Sequence, residues 1–369
     1  MSNWYAIRNV SSLDSPALVV YPERVKQNIR RAIEMTGDLQ RLRPHVKTHK
    51  SPQATEALLA EGIDQFKCAT IAEAEMLAKC KARDVLLAYQ PVGPKVTRFL
   101  QLIKKFPETS FGCLTDTTAA ASLLSDAFSR EGYTVPVYID LNLGMNRTGI
   151  SPDEGAAALY KALHAMKGIQ PMGFHAYDGH HRQADINERT AACNTAFEKM
   201  AALIKHLEES GYTVPVVIAG GSPTFPIHAK RKDVICSPGT FIYWDKGYGD
   251  LCQEQPFQHA AALITRVISL PAANRICTDL GHKSVAAENE IGKRVFFPEH
   301  PSLKAVGQSE EHLVLEVPEG HSFKVGDVLY GIPYHICPTV ALYERAYTVE
   351  NGEWKGFWNH EARDRFLSI

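Results

Sequence analysis

Arg43-Pro44-His45-Val46-Lys47-Thr48-His49-Lys50 decides how the rest of this chain is read. It lies where an apolar strand runs out, just before a helix that begins near Ser51. His45, Lys47, His49 and Lys50 crowd basic or titratable side chains into one turn, which core packing does not require. A solvated basic turn is one reading. The other is a site for an anionic cofactor, because an ammonium among other cations loses its proton more easily and becomes a nucleophilic amine, as a Schiff-base lysine must.

Outward from this stretch the pattern alternates. From about residue 15 to 250, short β-branched or apolar runs are followed by segments of helical period. The runs are 17–21, 42–47, 65–70, 84–89, 110–114, 135–141, 169–177 and 214–219. Eight such units in roughly 240 residues predict a (β/α)8 TIM-like barrel. A doubly wound open sheet would carry its phosphate-binding glycine turn after the first strand. Val20-Tyr21-Pro22-Glu23 stands there, and Gly220-Gly221-Ser222-Pro223-Thr224 follows the last run instead. After residue 256 strand-like runs dominate, at 259–270, 275–278, 312–317 and 327–330, so an all-β domain is expected. The expected division is a barrel over 12–255 and a β domain over 256–369, joined by 1–11.

Composition excludes several classes. The chain has 369 residues, is 45% hydrophobic and 22% charged, and carries a net charge of −1, so no global field draws it to nucleic acid or a membrane surface. No apolar run approaches the ~20 residues that span a bilayer. The N-terminus lacks the basic-then-apolar order of a signal peptide. Its eight cysteines are scattered without CxxC spacing, which fits a reducing cytoplasm.

In a barrel, Lys47 at the end of its strand falls on the face where catalytic groups gather. Gly220-Gly221-Ser222-Pro223-Thr224 could cradle a phosphate with backbone N–H groups and two hydroxyls. Ser237-Pro238-Gly239-Thr240, followed by Tyr243, is a second such turn. A lysine and a phosphate cup on one face suggest pyridoxal phosphate. Arg147, within Asn142-Leu143-Gly144-Met145-Asn146-Arg147-Thr148-Gly149, is a cation suited to a phenolate or carboxylate; a structural salt bridge is its other use. His175 and Tyr177, ending a strand, could lie against a cofactor ring or be ordinary core residues. In Tyr334-His335-Ile336-Cys337, an extended backbone would point His335 and Cys337 the same way. Imidazole with thiolate suits Zn²⁺ and leaves coordination positions open, although H-x-C spacing alone says little.

Taken together, 43–50, Gly144-Met145-Asn146-Arg147-Thr148-Gly149, Ala176-Tyr177-Asp178-Gly179-His180, 220–224 and His335-Ile336-Cys337-Pro338-Thr339 resemble the D-threonine aldolase/D-serine dehydratase family, metal-activated pyridoxal-phosphate enzymes of alanine racemase-like fold. The resemblance spans nearly the whole chain with its motifs in order. It implies a cofactor-carrying barrel, a β domain holding a divalent metal such as zinc or manganese, and a homodimer with active sites between one subunit's barrel and the other's β domain. Lys47 matches the Schiff-base lysine and Arg147 the arginine near the cofactor phenolate. Gly220, Gly221, Ser222, Gly239 and Thr240 match phosphate-binding positions, Tyr177 a tyrosine beside the cofactor, and His335 and Cys337 the metal ligands.

Two positions qualify the match. Ser237 stands where alanine racemases place an arginine on the pyridine nitrogen, which argues against a plain racemase. His-x-Cys resembles the D-serine dehydratase version of the metal pair, whereas some aldolases carry His-x-Asp. The resemblance therefore implies a lyase on β-hydroxy-D-amino acids. D-threonine aldolase-like cleavage to glycine and an aldehyde is the first expectation, and D-serine dehydration to pyruvate and ammonia is the alternative. His49, His180 and His181 are candidates for the base that deprotonates the hydroxyl. Non-enzymatic cofactor carriers share the barrel and lysine, but they lack the β domain that 256–369 would form.

Overall fold

The computed structural model describes residues Asn3–Ile369. Met1 and Ser2, which the expected β domain includes, lie outside the described residues. The chain divides into two compact units. One comprises the residues to Arg31, Thr48–Ala54 and Thr240–Arg363; the other comprises Ala32–Lys47, Thr55–Gly239 and Asp364–Ile369.

The first strand, β1 (Ala17–Val20), belongs to the first unit. It pairs antiparallel with the strand Ala261–Ala272 and parallel with Arg345–Glu350. The expectation that 17–21 opens the barrel is therefore corrected. All four residues of β1 are buried, so the run is apolar on both faces, and such a run carries no local mark of which sheet it joins.

In the second unit, β2 (Gln65–Cys68), β3 (Asp84–Leu87), β4 (Ser110–Thr115), β5 (Val135–Asp140), β6 (Ile169–Ala176), β7 (Val216–Ala219) and β8 (Ile235–Cys236) form a continuous parallel sheet. The segment after Gln40 closes it. Leu42 bridges Cys236 and His45 bridges Lys67, both parallel. Arg43 N donates to Cys236 O, His45 N to Pro238 O and Lys67 N to Pro44 O. The eight-stranded barrel is thus present, shifted by one element from the sequence expectation: its first strand is the run before Lys47 and its eighth is Ile235–Cys236. Two residues are too few for a strand to show a period. The glycine turn at 220–224 consequently follows the seventh strand and Ser237-Pro238-Gly239 the eighth, the two positions where barrels most often bind phosphate.

Arg43 anchors the first strand. Its guanidinium is buried and makes a bidentate pair with Asp84, Nη1–Oδ1 2.7 Å and Nη2–Oδ2 2.8 Å, and a third bond to Gln65 Oε1. Removing one partner leaves the other charge buried and unpaired. Asp84→Ala should lower unfolding stability by about 3 kcal/mol, read as a shift in urea midpoint at unchanged m-value.

In the first unit, β9 (Ala261–Ala272) is the central strand. It pairs with β1, with β10 (Arg275–Thr278) and with β14 (Val328–Pro333). β11 (Val295–Phe296) extends β14, while β12 (Lys304–Gln308) and β13 (Leu313–Glu316) extend β10. β15 (Arg345–Glu350) and β16 (Glu353–Asn359) form a hairpin beyond β1. Its core gathers Tyr5, Ile7, Leu13, Val19, Ile264 and Ile332 among others. No helix among the described residues is long and apolar enough to cross a membrane.

Candidate active site

At the C-terminal end of the barrel strands, the chain after His45 tightens into a 3-10 turn, Val46–Thr48, that carries Lys47. Lys47 Nζ lies 5.8 Å from the centre of the Tyr177 ring, and the Arg147 guanidinium lies 4.9 Å from the same ring. Both are within cation–π range. Glycines seat the tyrosine. A Cβ on Gly179 would lie 2.1 Å from Tyr177 Oη, and one on Gly221 would lie 2.8 Å from Cε2. Gly220 has φ +90°, which only glycine adopts without strain. Gly221→Ala should therefore displace Tyr177 and weaken cofactor binding roughly tenfold, since overpacking costs about 1–3 kcal/mol; equilibrium dialysis against pyridoxal phosphate measures this.

The 220–224 turn is braced from beneath. Thr224 Oγ1 donates to Asp178 Oδ1 at 2.5 Å and accepts from Gly221 N at 3.2 Å. Thr224 was expected to meet a phosphate; its hydroxyl proton is instead spent on Asp178. The other Asp178 oxygen bonds His228 Nε2 at 2.7 Å, and Cys193 Sγ stands 3.4 Å from each of these atoms. Asp178, Cys193 and His228 are close enough to share a metal ion. However, burial and then the Asp178 charge push the Cys193 thiol up to about 12, so it stays protonated, and His228 Nδ1 already faces Arg231. The trio reads as a buried hydrogen-bond network. Sequence reasoning quoted Asp178 without a role and missed His228, whose only signal is its place four residues after Thr224.

His175 is buried at the end of β6. Its Nδ1 lies 2.7 Å from Asp140 Oδ1, and Thr148 donates to the other Asp140 oxygen at 2.8 Å. His175 Nε2 lies 3.4 Å from Nζ of Lys67, a residue that sequence reasoning passed over as a strand position. Burial lowers Lys67 and the Lys47 charge lowers it further, to about 7. Ser222 is buried, and Gly239 ends the turn after β8. Ser237 Oγ donates to Arg43 O at 2.8 Å, so its hydroxyl ties the eighth strand to the first. The His180 and His181 rings pack tilted with centroids 4.1 Å apart, and His180 Nδ1 and His181 Nε2 have no hydrogen-bond partner among the described residues. Lys47, Lys67 and Arg147 outnumber the neighbouring Asp140, and with the glycine turns they fit an anionic, phosphate-bearing cofactor.

The other unit holds a second cluster. His335 has extended backbone and caps the short helix Ile336–Val340, so Cys337 lies in a helical turn. The expectation that both sit on one extended segment is corrected: Ile336 N donates to Asp245 Oδ2 at 3.0 Å and Thr339 Oγ1 to His335 O at 2.8 Å, which starts a helix there. The two side chains still meet. Burial alone would lower His335, but the hydrogen bond and charge of Cys337 outweigh it and raise it to about 9. Burial would raise Cys337, but the hydrogen bond and charge of His335 lower it. Glu288 Oε1 holds His335 Nδ1 at 2.5 Å, which leaves the other ring nitrogen for Cys337. A thiol whose ionisation His335 favours, beside an imidazole oriented by a carboxylate, is a donor set for Zn²⁺. Thr48 Oγ1 stands 3.2 Å from Cys337 Sγ, and Thr240, expected at the phosphate, places its hydroxyl 3.7 Å from the same sulfur. The Tyr243 hydroxyl is buried without a protein partner. His49 is buried and, chiefly through desolvation, lowered to about 3, so it is a neutral imidazole at ordinary pH.

A closed barrel with an amine-bearing turn and glycine cups after its seventh and eighth strands defines a class, the barrel-borne aldehyde-cofactor proteins. The model of the alanine racemase N-terminal domain matches residues 20–246, and the chain belongs to that family. A domain model named for serine dehydratase matches 260–349. D-threonine aldolase of Arthrobacter sp is 28% identical over 96% of this chain and 94% of its own length. D-threo-3-hydroxyaspartate dehydratase of Delftia sp. (strain HT23) is 26% identical over 90% of this chain and 93% of its own. The crystal structure of D-threonine aldolase from Filomicrobium marinum superposes with a TM-score of 0.89 at 24% identity, covering 100% of both chains.

Proposed function

We propose that this protein is a pyridoxal-phosphate- and divalent-metal-dependent lyase acting on β-hydroxy-D-amino acids, cleaving them to glycine and an aldehyde. The observation that carries the reading is the gathering of Lys47, Arg147 and Tyr177 over the glycine turn at one end of the barrel. End-to-end similarity to a D-threonine aldolase supports it.

Lys47 would supply the amine that holds the cofactor, and Arg147 would supply a cation for its phenolate. Gly220, Gly221, Ser222 and Gly239 offer the backbone approach a phosphate needs, with Thr224 bracing the turn and His175 and Tyr177 flanking the ring. Pyridoxal phosphate bound there supplies an electron sink for a bond broken at Cα. His335 and Cys337 would hold the metal, zinc or manganese being the ions their chemistry and the resemblance favour; such an ion would supply Lewis acidity toward a substrate hydroxyl. Glu288 orients His335. His180 and His181 have ring nitrogens free of protein partners and can take the hydroxyl proton, whereas His49 is too weak a base.

One observation favours a second reading. Structures of D-threo-3-hydroxyaspartate dehydratase include a histidine-to-alanine variant and a metal-free variant altered at a cysteine two positions later, the spacing of His335 and Cys337. If Lys47 removes the Cα proton, loss of the hydroxyl yields a dehydrated product. A homodimer and a cytoplasmic location complete the proposal; light scattering tests the first.

The cofactor assignment is tested by borohydride reduction. Protein incubated with pyridoxal phosphate and reduced should carry the label on the peptide containing Lys47; a label elsewhere, or none, overturns it.

A further inference from the structure

Lys67 adds to the positive charge of the site but has no individual role in the chemistry proposed above. It stands on β2 beside the strand that leads to Lys47, in parallel register with His45, and is 2% exposed. Lysine is almost never so buried unless paired, and among the described residues no carboxylate pairs with it directly. Its Nζ reaches His175 Nε2 at 3.4 Å, and His175 Nδ1 reaches Asp140 at 2.7 Å.

The protons in this chain have fixed places. Burial would raise Asp140, but its bond and attraction to His175 outweigh that and lower it, so it is a carboxylate that accepts from His175 Nδ1–H. Burial and Lys67 lower His175, so its Nε2 carries no proton and must accept from Lys67. Lys67 therefore gives one N–H to His175 whether it is an amine or an ammonium. Its remaining hydrogens, or its lone pair, stay available, and its charge is variable. The charged groups acting on it are Arg43 from the first strand, Lys47 from the turn after it, Asp140 from β5 and Asp178 beyond β6. Two cations oppose two carboxylates, and Asp178 is already committed to His228. Burial is the largest influence on Lys67 and lowers it, and with no net opposite charge around it the ammonium is disfavoured.

We propose that Lys67 is a second functional amine of the site, a positioning residue whose charge, set through His175 and Asp140, governs the protonation state of the cofactor that Lys47 holds. The proposal rests on the pyridoxal-phosphate reading. His175 touches the ring in that reading, so a change at Lys67 reaches the cofactor through one hydrogen bond. Charged Lys67 favours the ionised, electron-rich form of the ring substituents; neutral Lys67 releases it.

The experiment is a pH titration of the visible spectrum of the holoenzyme between about pH 5.5 and 9, for the parent and for Lys67→Met, Lys67→Gln and Lys67→Arg. The parent should show a spectral step within this range as Lys67 changes charge. Lys67→Met and Lys67→Gln, which cannot be charged, should hold the alkaline-side spectrum across the range. Lys67→Arg, permanently charged, should hold the acid-side spectrum. Glutamine still donates to His175, so agreement between the glutamine and methionine variants assigns the effect to charge and not to that bond. A step retained in the neutral variants, or one common spectrum for neutral and arginine variants, overturns the proposal. If the parent shows a cofactor band but no step, Lys67 alone is misassigned; if it shows no cofactor band, the cofactor reading and the proposal fall together.

Discussion

Lys47→Ala loses covalent attachment of pyridoxal phosphate and all but a trace of turnover. The loss should be at least about 10³-fold in kcat, because one residue supplies both the nucleophilic amine and a proton-transfer group, and proton transfer alone is worth about 10²–10⁴-fold. The fold should survive. Lys47 lies on a short 3-10 turn, and the strand before it is held by Arg43, Ser237 and the backbone bonds to Cys236 and Pro238. Circular dichroism and the urea midpoint should match the parent, while the reduced protein carries no label. Unchanged turnover in Lys47→Ala is incompatible with the proposed chemistry.

Cys337→Ala has the second largest expected effect and the opposite spectral signature. The cofactor band should remain, because Lys47, which would carry the cofactor, is unchanged in this variant. Metal content should fall, and turnover should drop by about 10²–10³-fold, as Lewis-acid stabilisation is worth several kcal/mol at about 1.36 kcal/mol per tenfold. Added Zn²⁺ or Mn²⁺ should restore little, since His335 alone remains. Elemental analysis beside single-turnover kinetics separates this from misfolding. Full metal content and full turnover would remove the assigned metal site.

The sequence carried the alternation that makes a barrel, and the count of eight, but not which runs make up the eight. β1 is apolar on every residue, so it satisfies either a barrel or a mixed sheet; only its partners Leu263 and Tyr347 decide. Ile235–Cys236 is a strand because barrel closure demands one, not because two residues signal it. In the β unit, the two-residue β11 and the longer β12, β15 and β16 fall outside the expected runs. Exposed and half-buried residues interrupt β12 and β16, and β15 alternates apolar with polar residues between the charged Arg345 and Glu350, so none presents the apolar run by which strands are recognised.

The site was legible where function crowds unusual residues into a short span, as at 43–50 and 220–224. It was illegible where function is assembled across strands. Lys67, Asp140 and His175 come from three strands and form one hydrogen-bonded chain that no local spacing announces. His335 and Cys337 were paired from an extended-backbone argument; a helix cap at His335 brings them together instead. Thr224 was assigned to a ligand because hydroxyls bind phosphate, and Asp178, which takes its proton, sits 46 residues away.

Product identification tests the central claim most directly. Protein loaded with pyridoxal phosphate and Zn²⁺ or Mn²⁺ would be given D-threonine and D-serine in parallel, with the L-enantiomers as controls. The account predicts glycine and acetaldehyde from D-threonine and nothing from L-threonine. Pyruvate and ammonia from D-serine, without glycine, would move the reaction to dehydration by the same residues. No product from either D-amino acid, or interconversion of enantiomers alone, would contradict the account.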